Sequence, residues 1–160
     1  MPAPVTTDSV WEVVEKYLFG VLAFVTPSHE ARSAGIVYVV HDRTFYISSG
    51  SETWKTRHIR ANPKVSLTIT IPKRLPFIPF LKIPAAVATC QGTAEILGVD
   101  AVDTSIIKRI YRGMEVTEQL RAETRVIKVT PTGDFVTYGI GVPMIRMRIP
   151  EEARGRAPVA

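Results

Sequence analysis

The segment from Phe45 to Thr70 constrains the fold of this chain most strongly, because it places a short cationic helix between two strands. Phe45 to Ile47 has the apolar and aromatic composition of a strand. The hydroxyl-rich run from Ser48 to Ser51 then predicts a turn that caps a helix beginning near Glu52. The segment therefore predicts a strand, a turn and a helix in close succession.

The helix is predicted to end where a proline follows an asparagine. Pro63 disfavours helical backbone at Asn62, so the chain must leave the helix there. From Val65 to Ile71, apolar residues alternate with serine and threonine, which is the period of two of a half-buried strand. This strand is therefore predicted to turn one face to the core.

The start of the helix has the properties of an anion site. Free main-chain N–H groups and the positive end of the helix dipole lie at the turn, and Lys55 adds a full charge on the first turn. A phosphate group suits such a site. The residues alone are equally consistent with a solvated basic helix, because runs of charge usually lie on the surface.

Two ordered motifs resemble the pyridoxamine-phosphate-oxidase-like, FMN-binding split-barrel superfamily. Lys55, Asn62 and Pro63 keep the family's spacing of a lysine followed seven residues later by Asn or Asp and then Pro. The run from Lys55 to Arg60 is similar to the K-T-R-x-L-R of its flavin and deazaflavin branch. The run from Gly92 to Leu97 is similar to the G-x-A-E-x-L that ends a middle strand of these barrels. The resemblance covers residues 8 to 138.

The resemblance implies a mainly β fold, a six- to seven-stranded split β-barrel with peripheral helices. It also implies a homodimer with the cofactor groove between the two subunits, and apolar strands beyond the needs of one small barrel agree with this. The FMN-binding split-barrel domain is expected over residues 1–140. Residues 141–160 are expected to form an extension that packs on the barrel or on the dimer partner.

The resemblance further implies the residues of the site. Side chains of the 48–57 segment are expected at the phosphate end of the cofactor, and main-chain groups of residues 33–36 are expected to face its ring. Trp54 is interpreted either as a core anchor or as a wall beside the cofactor. The predicted cofactor-binding residues are Arg32, Ser33, Ala34, Gly35, Ile36, Ser48, Ser49, Thr53, Trp54, Lys55, Thr56 and Arg57.

The function implied is that of an FMN-binding oxidoreductase that transfers hydride to a small conjugated or hydrophobic acceptor. No catalytic side chain is assigned, because the cofactor carries the chemistry. True pyridoxamine phosphate oxidases have Arg and Gln where this chain has Trp54 and Val87, and their late Arg-x-His pair is replaced by Arg146 to Arg148. Oxidation of pyridoxamine phosphate is therefore not expected. The alternatives are an F420-dependent reductase of the same fold, whose lactyl-glutamyl tail needs an extended basic groove, and a non-enzymatic flavin- or haem-binding protein.

Composition narrows the class of partner. The net charge is +5 and the pI about 9.6, but the cations fall in three separate places without interleaved aromatic residues, which argues against nucleic-acid binding. No apolar run approaches the roughly 18 to 20 residues of a membrane span, and the first residues lack the pattern of a signal peptide. The expectation is a cytoplasmic protein with a small-molecule substrate. No histidine pair lies at metal-ligand spacing, so no metal site is predicted.

The remaining elements follow from periodicity. Ser9 and Glu12 predict a capping box at the start of a first helix that ends before Gly20. The turn over Pro131–Gly133 separates the last two predicted strands. The proline-rich loop from Pro72 to Pro84 is interpreted as a packing element, a lid over the cofactor or a membrane-surface contact. Further strands are predicted over residues 20–26, 36–40, 85–97, 125–130 and 134–138, and helices over 100–112 and 115–120.

Overall fold

A closed antiparallel barrel forms the centre of the molecule. The computed structural model describes residues 5–73, 77 and 85–160. Six strands close the barrel and a seventh extends its sheet, which confirms the predicted mainly β fold of six to seven strands. The strands are β1 (Phe19–Val25), β2 (Ala31–His41), β3 (Thr44–Gly50), β4 (Lys64–Ile71), β5 (Ala86–Gly98), β6 (Thr124–Tyr138) and β7 (Arg154–Pro158).

Short helices surround the barrel. Two 3₁₀ turns lie at Val99–Ala101 and Arg146–Arg148. The α-helices are α1 (Thr7–Val14), α2 (Trp54–Ala61), α3 (Thr104–Ile110), α4 (Glu118–Glu123) and α5 (Pro150–Ala153). Among the helices within the described residues, none is long and apolar enough to cross a membrane.

The alternation read from the sequence fills the barrel. Val65, Leu67, Ile69 and Ile71 of β4 are buried, while the serine and threonines between them are half-buried on the outer face. Trp11 of α1 closes one end of the core, where its ring lies 5.3 Å from Phe45 and 5.1 Å from Phe135. These aromatic and aliphatic side chains give the barrel its main hydrophobic core.

The barrel splits between β2 and β3. These strands pair only from His41 and Thr44 to Tyr38 and Ile47. Beyond that point β2 continues along β1 as far as Ala31, whereas β3 continues along β6 as far as Gly50. The two strands therefore diverge, and α2 follows β3 at the opening.

The first helix begins earlier than predicted, whereas the helix of the 45–70 segment begins later. Thr6, not Ser9, caps α1, since its side chain accepts from Ser9 N and the Ser9 hydroxyl accepts from Thr6 N in turn. Thr53, not the run at residues 48–51, caps α2. Ser48 to Gly50 belong to β3 because pairing with β6 keeps them extended. The predicted end of α2 at Asn62 is confirmed.

The last two predicted strands form one strand, so the predicted turn at residues 131–133 is wrong. β5 pairs with both halves of β6, and the register shifts from Thr89–Val136 to Gln91–Thr132. The extra residues form a bulge, where Gly133 has a φ of 72° and bends the strand without ending it. α3 is also shorter than predicted, because Asp103 caps it and Arg112 leaves the helical region.

The C-terminal residues return to the barrel. β7 pairs with the second half of β6, and Trp11 Nε1 donates to Val159 O at 2.9 Å. The proposed division between residues 1–140 and 141–160 stays a prediction. Of the loop over residues 72–84, the structure describes only Pro72, Lys73 and Phe77. The three hypotheses about this loop therefore concern residues outside the described part of the chain.

Candidate functional site

The site is a cleft of about 240 Å³ at the split between β2 and β3. β2 forms one wall through residues 35–39, and Ser48 of β3 and Lys55 of α2 form the opposite wall. The third side comes from Arg109 and Ile110 of α3 and from Arg112 in the turn that follows it, and Leu18 completes the lining. The split in the barrel thus becomes a concave site between two strands and two helices.

A network of hydroxyl groups fixes the turn that carries Lys55. Thr53 Oγ1 accepts from Thr56 N at 3.3 Å, and it shares hydrogen bonds with the hydroxyls of Ser49 and Thr56 at 3.1 and 3.0 Å. The fully buried Thr56 hydroxyl also lies within hydrogen-bond distance of the carbonyl oxygens of Gly50, Ser51 and Thr53. Because these hydroxyls are hydrogen-bonded to one another, we interpret Ser49, Thr53 and Thr56 as residues that stabilise the conformation of the turn.

Lys55 is a half-buried cation without a carboxylate partner among the described residues. Burial lowers the pKa of its ammonium group, because a low-dielectric surrounding disfavours the charged form. The residues that line the cleft include no aspartate or glutamate. An anionic ligand would therefore restore the lost solvation of Lys55 without displacing an internal ion pair.

Gly35 gives the cleft an open main-chain edge. Tyr38 N donates to Leu18 O, so by the alternation of an antiparallel pair the main-chain groups of Gly35 point away from β1 and into the split. A Cβ atom on Gly35 would lie 3.2 Å from the ring of Phe19, its neighbour on β1. The glycine thus lets the Phe19 ring lie against the strand beside the cleft.

The cleft contains a part of the predicted site. Gly35, Ile36, Ser48 and Lys55 line it. The other predicted residues lie around it: the hydroxyl network of Ser49, Thr53 and Thr56 supports its turn, while Arg32, Ser33, Ala34, Trp54 and Arg57 are not among its lining residues.

Two of the residues outside the lining have partners of their own. Arg32 pairs with Glu30 at 2.8 Å on the surface. The Trp54 ring packs 5.4 Å from Phe24 and 6.2 Å from His58, although 44% of the residue stays exposed. Trp54 thus packs on Phe24 and His58 at the surface, and its role as a core anchor or as a wall beside the cofactor stays a prediction.

The sequence did not single out Arg109 and Arg112 as site residues. Arg109 Nη1 donates to Val40 O of β2 at 2.7 Å, and the Tyr111 hydroxyl shares a hydrogen bond with Ser48 Oγ at 3.3 Å. Both contacts span more than sixty positions of the chain. Their only local signal was a pair of cations three residues apart on a helix, which is common on surfaces.

Comparison with known proteins supports the resemblance. The family model for pyridoxamine 5'-phosphate oxidase matches residues 6–134. The chain belongs to this family. Its split-barrel fold agrees with this assignment, and relatives of this family bind flavins or F420. No curated protein matches the chain.

Three solved structures illustrate the range of proteins with this fold. A haem-binding protein from Mycobacterium smegmatis has a TM-score of 0.72 at 12% identity, over 99% of this chain and 60% of that chain. An F420 reductase has a TM-score of 0.54 at 24% identity, over 78% of this chain and 93% of that chain. An FAD-binding protein from Mesorhizobium loti has a TM-score of 0.55 at 17% identity, over 76% of this chain and 86% of that chain. At these identities the likeness shows the fold alone.

Proposed function

We propose that this family member is an oxidoreductase that binds a flavin-type cofactor at the cleft, with FMN as the cofactor and F420 as the alternative. The cofactor would exchange hydride with a small conjugated or hydrophobic acceptor. The observation that carries the proposal is the half-buried Lys55, which has no carboxylate partner within the described part of the chain, at the split of a barrel from a cofactor-binding superfamily. A phosphate there would receive a charge-assisted contact in a partly desolvated site.

The lining residues fit a phosphorylated, flat cofactor. Lys55 and the hydroxyl of Ser48, which also shares a hydrogen bond with Tyr111, would bind the phosphate, and the hydroxyl network beneath them would keep the turn in place. The open edge at Gly35 and the half-exposed side chains of Phe19 and Val37 would offer main-chain and apolar contacts to the ring. When bound, the cofactor supplies the hydride chemistry, so the protein's part is to bind, orient and shield it.

The volume of the cleft favours a site completed by a second subunit. About 240 Å³ lies below the roughly 300–1,000 Å³ of pockets that enclose a ligand of this size. Phe19 and Val37 form a cross-strand pair and are 52% and 55% exposed. A homodimer would cover this pair and close the cleft.

A row of residues that lie opposite one another on neighbouring strands forms a surface on which a second subunit could pack. The pairings connect Gly35 to Val21, Val21 to Thr68, Thr68 to Thr89 and Thr89 to Val136. All of them lie on the outer face, and none carries a charge. The surface thus runs from the cleft across five strands, and we propose it as the dimer face.

The same site argues against oxidation of pyridoxamine phosphate. Trp54 stands where the oxidases have an arginine, and it packs on Phe24. This turn therefore contributes one cation, Lys55, to the cleft lining, and the large apolar side chains of Leu18, Phe19 and Val37 are about half exposed beside it. We propose a flat apolar acceptor for this reason.

A second candidate is a protein that binds haem or a flavin without catalysis. The haem-binding protein from M. smegmatis covers 99% of this chain, more than the F420 reductase or the FAD-binding protein does. Haem requires an axial ligand such as His, Cys or Tyr. His41 is exposed and His58 is half-buried, so either could reach a ligand, whereas Cys90 and Tyr38 are buried.

The absorption spectrum of freshly purified protein separates these candidates. A flavin band, a deazaflavin band and a Soret band are distinct, and titration of cofactor-free protein with FMN, F420 and haemin then gives the affinities. Bound FMN or F420 that is reduced and reoxidised by an apolar acceptor supports the oxidoreductase. A Soret band together with no flavin binding contradicts it.

A further inference from the structure

The cleft holds more positive charge than one phosphate needs. Lys55, Arg109 and Arg112 line it, and no carboxylate lines it with them. No ion pair involves any of the three within the part of the chain that the structure describes. A phosphate monoester carries about 1.5 to 2 negative charges at neutral pH. One such group at Lys55 would leave Arg109 and Arg112, which are exposed at the α3 end, available to a further anionic group.

The α3 end of the cleft is fixed in place. Arg109 is tied to Val40 O of β2, and Tyr111 is tied to Ser48 of β3, so the helix is anchored to both sides of the split. Beneath it, Ile106, Ile107 and Tyr111 pack in a second hydrophobic cluster with Val126. Arg109 therefore projects from a helix that is anchored on both sides of the split, and Arg112 lies in the turn that ends this helix. Sites built on anchored elements are positioned more precisely than sites on loops.

Arg112 occupies a position where glycine is favoured. Gly113 N donates to Lys108 O at 3.0 Å and Arg112 N to Arg109 O at 3.3 Å, which is the hydrogen-bond pattern of a Schellman motif. Its left-handed residue is Arg112, with a φ of 51°. A residue with a Cβ is strained there, by roughly 1–2 kcal/mol. The protein thus holds a cation at the mouth of the cleft at some cost to the helix end.

We propose that Arg109 and Arg112 form a second anion subsite in the same cleft, for a cofactor that carries further anionic groups beyond its first phosphate. The subsite rests on the proposed function, because Lys55 and Ser48 would hold the first phosphate. Two chemical sources meet the requirement: a carboxylate tail, as in F420, and the second phosphate of a dinucleotide's pyrophosphate, as in FAD. FMN lacks the second group, so a filled subsite would favour F420, the alternative cofactor of the proposed function, or FAD over FMN.

Arg112→Gly tests the subsite without endangering the fold. The change removes the cation and places the favoured residue at a φ of 51°, so the thermal midpoint should stay or rise. Titrations of the cofactor-free variant with FMN, F420 and FAD should show a loss of about tenfold for F420, FAD or both, and less than twofold for FMN. The neighbouring Lys108→Ala, an exposed cation outside the cleft lining, is the control with the same charge change.

The outcomes assign or overturn the proposal. A loss confined to F420 identifies a carboxylate tail, and one confined to FAD identifies a pyrophosphate. Equal losses for FMN and the longer cofactors, equal losses in Lys108→Ala, or no loss for any of them would overturn the second subsite while leaving the flavin site intact. Failure of wild type to bind FMN, F420 and FAD would overturn the proposed function itself, and the subsite with it.

Discussion

Lys55 is the residue on which the proposed chemistry depends most. Its position on the first turn of α2 was clear from the sequence, but its half-burial and the lack of a carboxylate beside it arise from the packing of β2, β3 and α3 around it. Buried cations are costly unless an anion compensates them. The residue is therefore the natural target for testing the cofactor site.

We expect Lys55→Ala to weaken FMN binding by about 2 kcal/mol, the scale of a charge-assisted contact, while the fold stays intact. Calorimetric titration of cofactor-free protein measures the change. Arg60→Ala removes an exposed cation from the last turn of the same helix and should leave the affinity unchanged. Equal affinities of wild type and Lys55→Ala would remove Lys55 from the phosphate site.

The pH dependence of binding should report the same residue. Because burial lowers the pKa of Lys55, its positive charge is lost at a lower alkaline pH than that of an ordinary lysine. FMN affinity should therefore be constant from above neutral pH, where the phosphate is fully ionised, up to that pKa, and it should fall as the pH rises through it. In Lys55→Arg the guanidinium stays charged, so the Lys55-dependent part of the fall should be absent. An identical alkaline profile in both proteins contradicts the assignment.

At the scale of elements, β5 shows why one motif has its glycine. Gly92 begins the G-x-A-E-x-L run, and a Cβ atom there would lie 2.8 Å from Val129 and 2.9 Å from the carbonyl oxygen of Thr130 on β6. The two strands approach closely beside the bulge in β6, and only a residue without a side chain fits. The glycine thus supports the barrel, and it is not among the residues that line the cleft.

Gly92→Ala should destabilise the protein by about 1–3 kcal/mol, the usual cost of overpacking a core. Gly98 at the other end of β5 is the matched control, since a Cβ there meets no heavy atom within 4 Å. Gly98→Ala should therefore be neutral or slightly stabilising. Urea denaturation compares the two midpoints at constant slope, and similar midpoints for both variants would show that the strands can move apart at little cost.

For the whole molecule, the open question is what covers the outer face of the sheet. The uncharged row from Gly35 to Val136 continues the cleft across the barrel, and Phe19 and Val37 add half-exposed apolar surface beside it. Exposed apolar side chains that lie together on a surface without charges are typical of an interaction site. A second copy of the chain would both cover this face and complete the cleft.

Light scattering should therefore give a mass of twice 17.7 kDa at micromolar concentration. Val136→Glu places a charge in the row and should dissociate the dimer and weaken cofactor binding. Ile145→Glu places the same charge on a side chain that is 80% exposed outside the row and should change neither property. A monomer that still binds the cofactor with wild-type affinity would refute the shared site.

The sequence by itself determined the local features of this protein. The alternation in β4, the end of α2 at Asn62 and the mainly β class depend on neighbouring residues, whose side-chain period and backbone preferences can be read from the chain. The two family motifs added the split barrel, because their residues serve contacts such as the close approach at Gly92.

Only the tertiary structure decided where long-range pairing overrides local signals. Pairing with β6 keeps Ser48 to Gly50 extended despite their turn-forming side chains, and pairing with β5 carries β6 through its proline and glycine. The same is true of the cleft, which joins Lys55 to Arg109 and Arg112 across more than fifty positions. Such proximity is produced by the closure of the barrel and the docking of α3, and no local pattern records it.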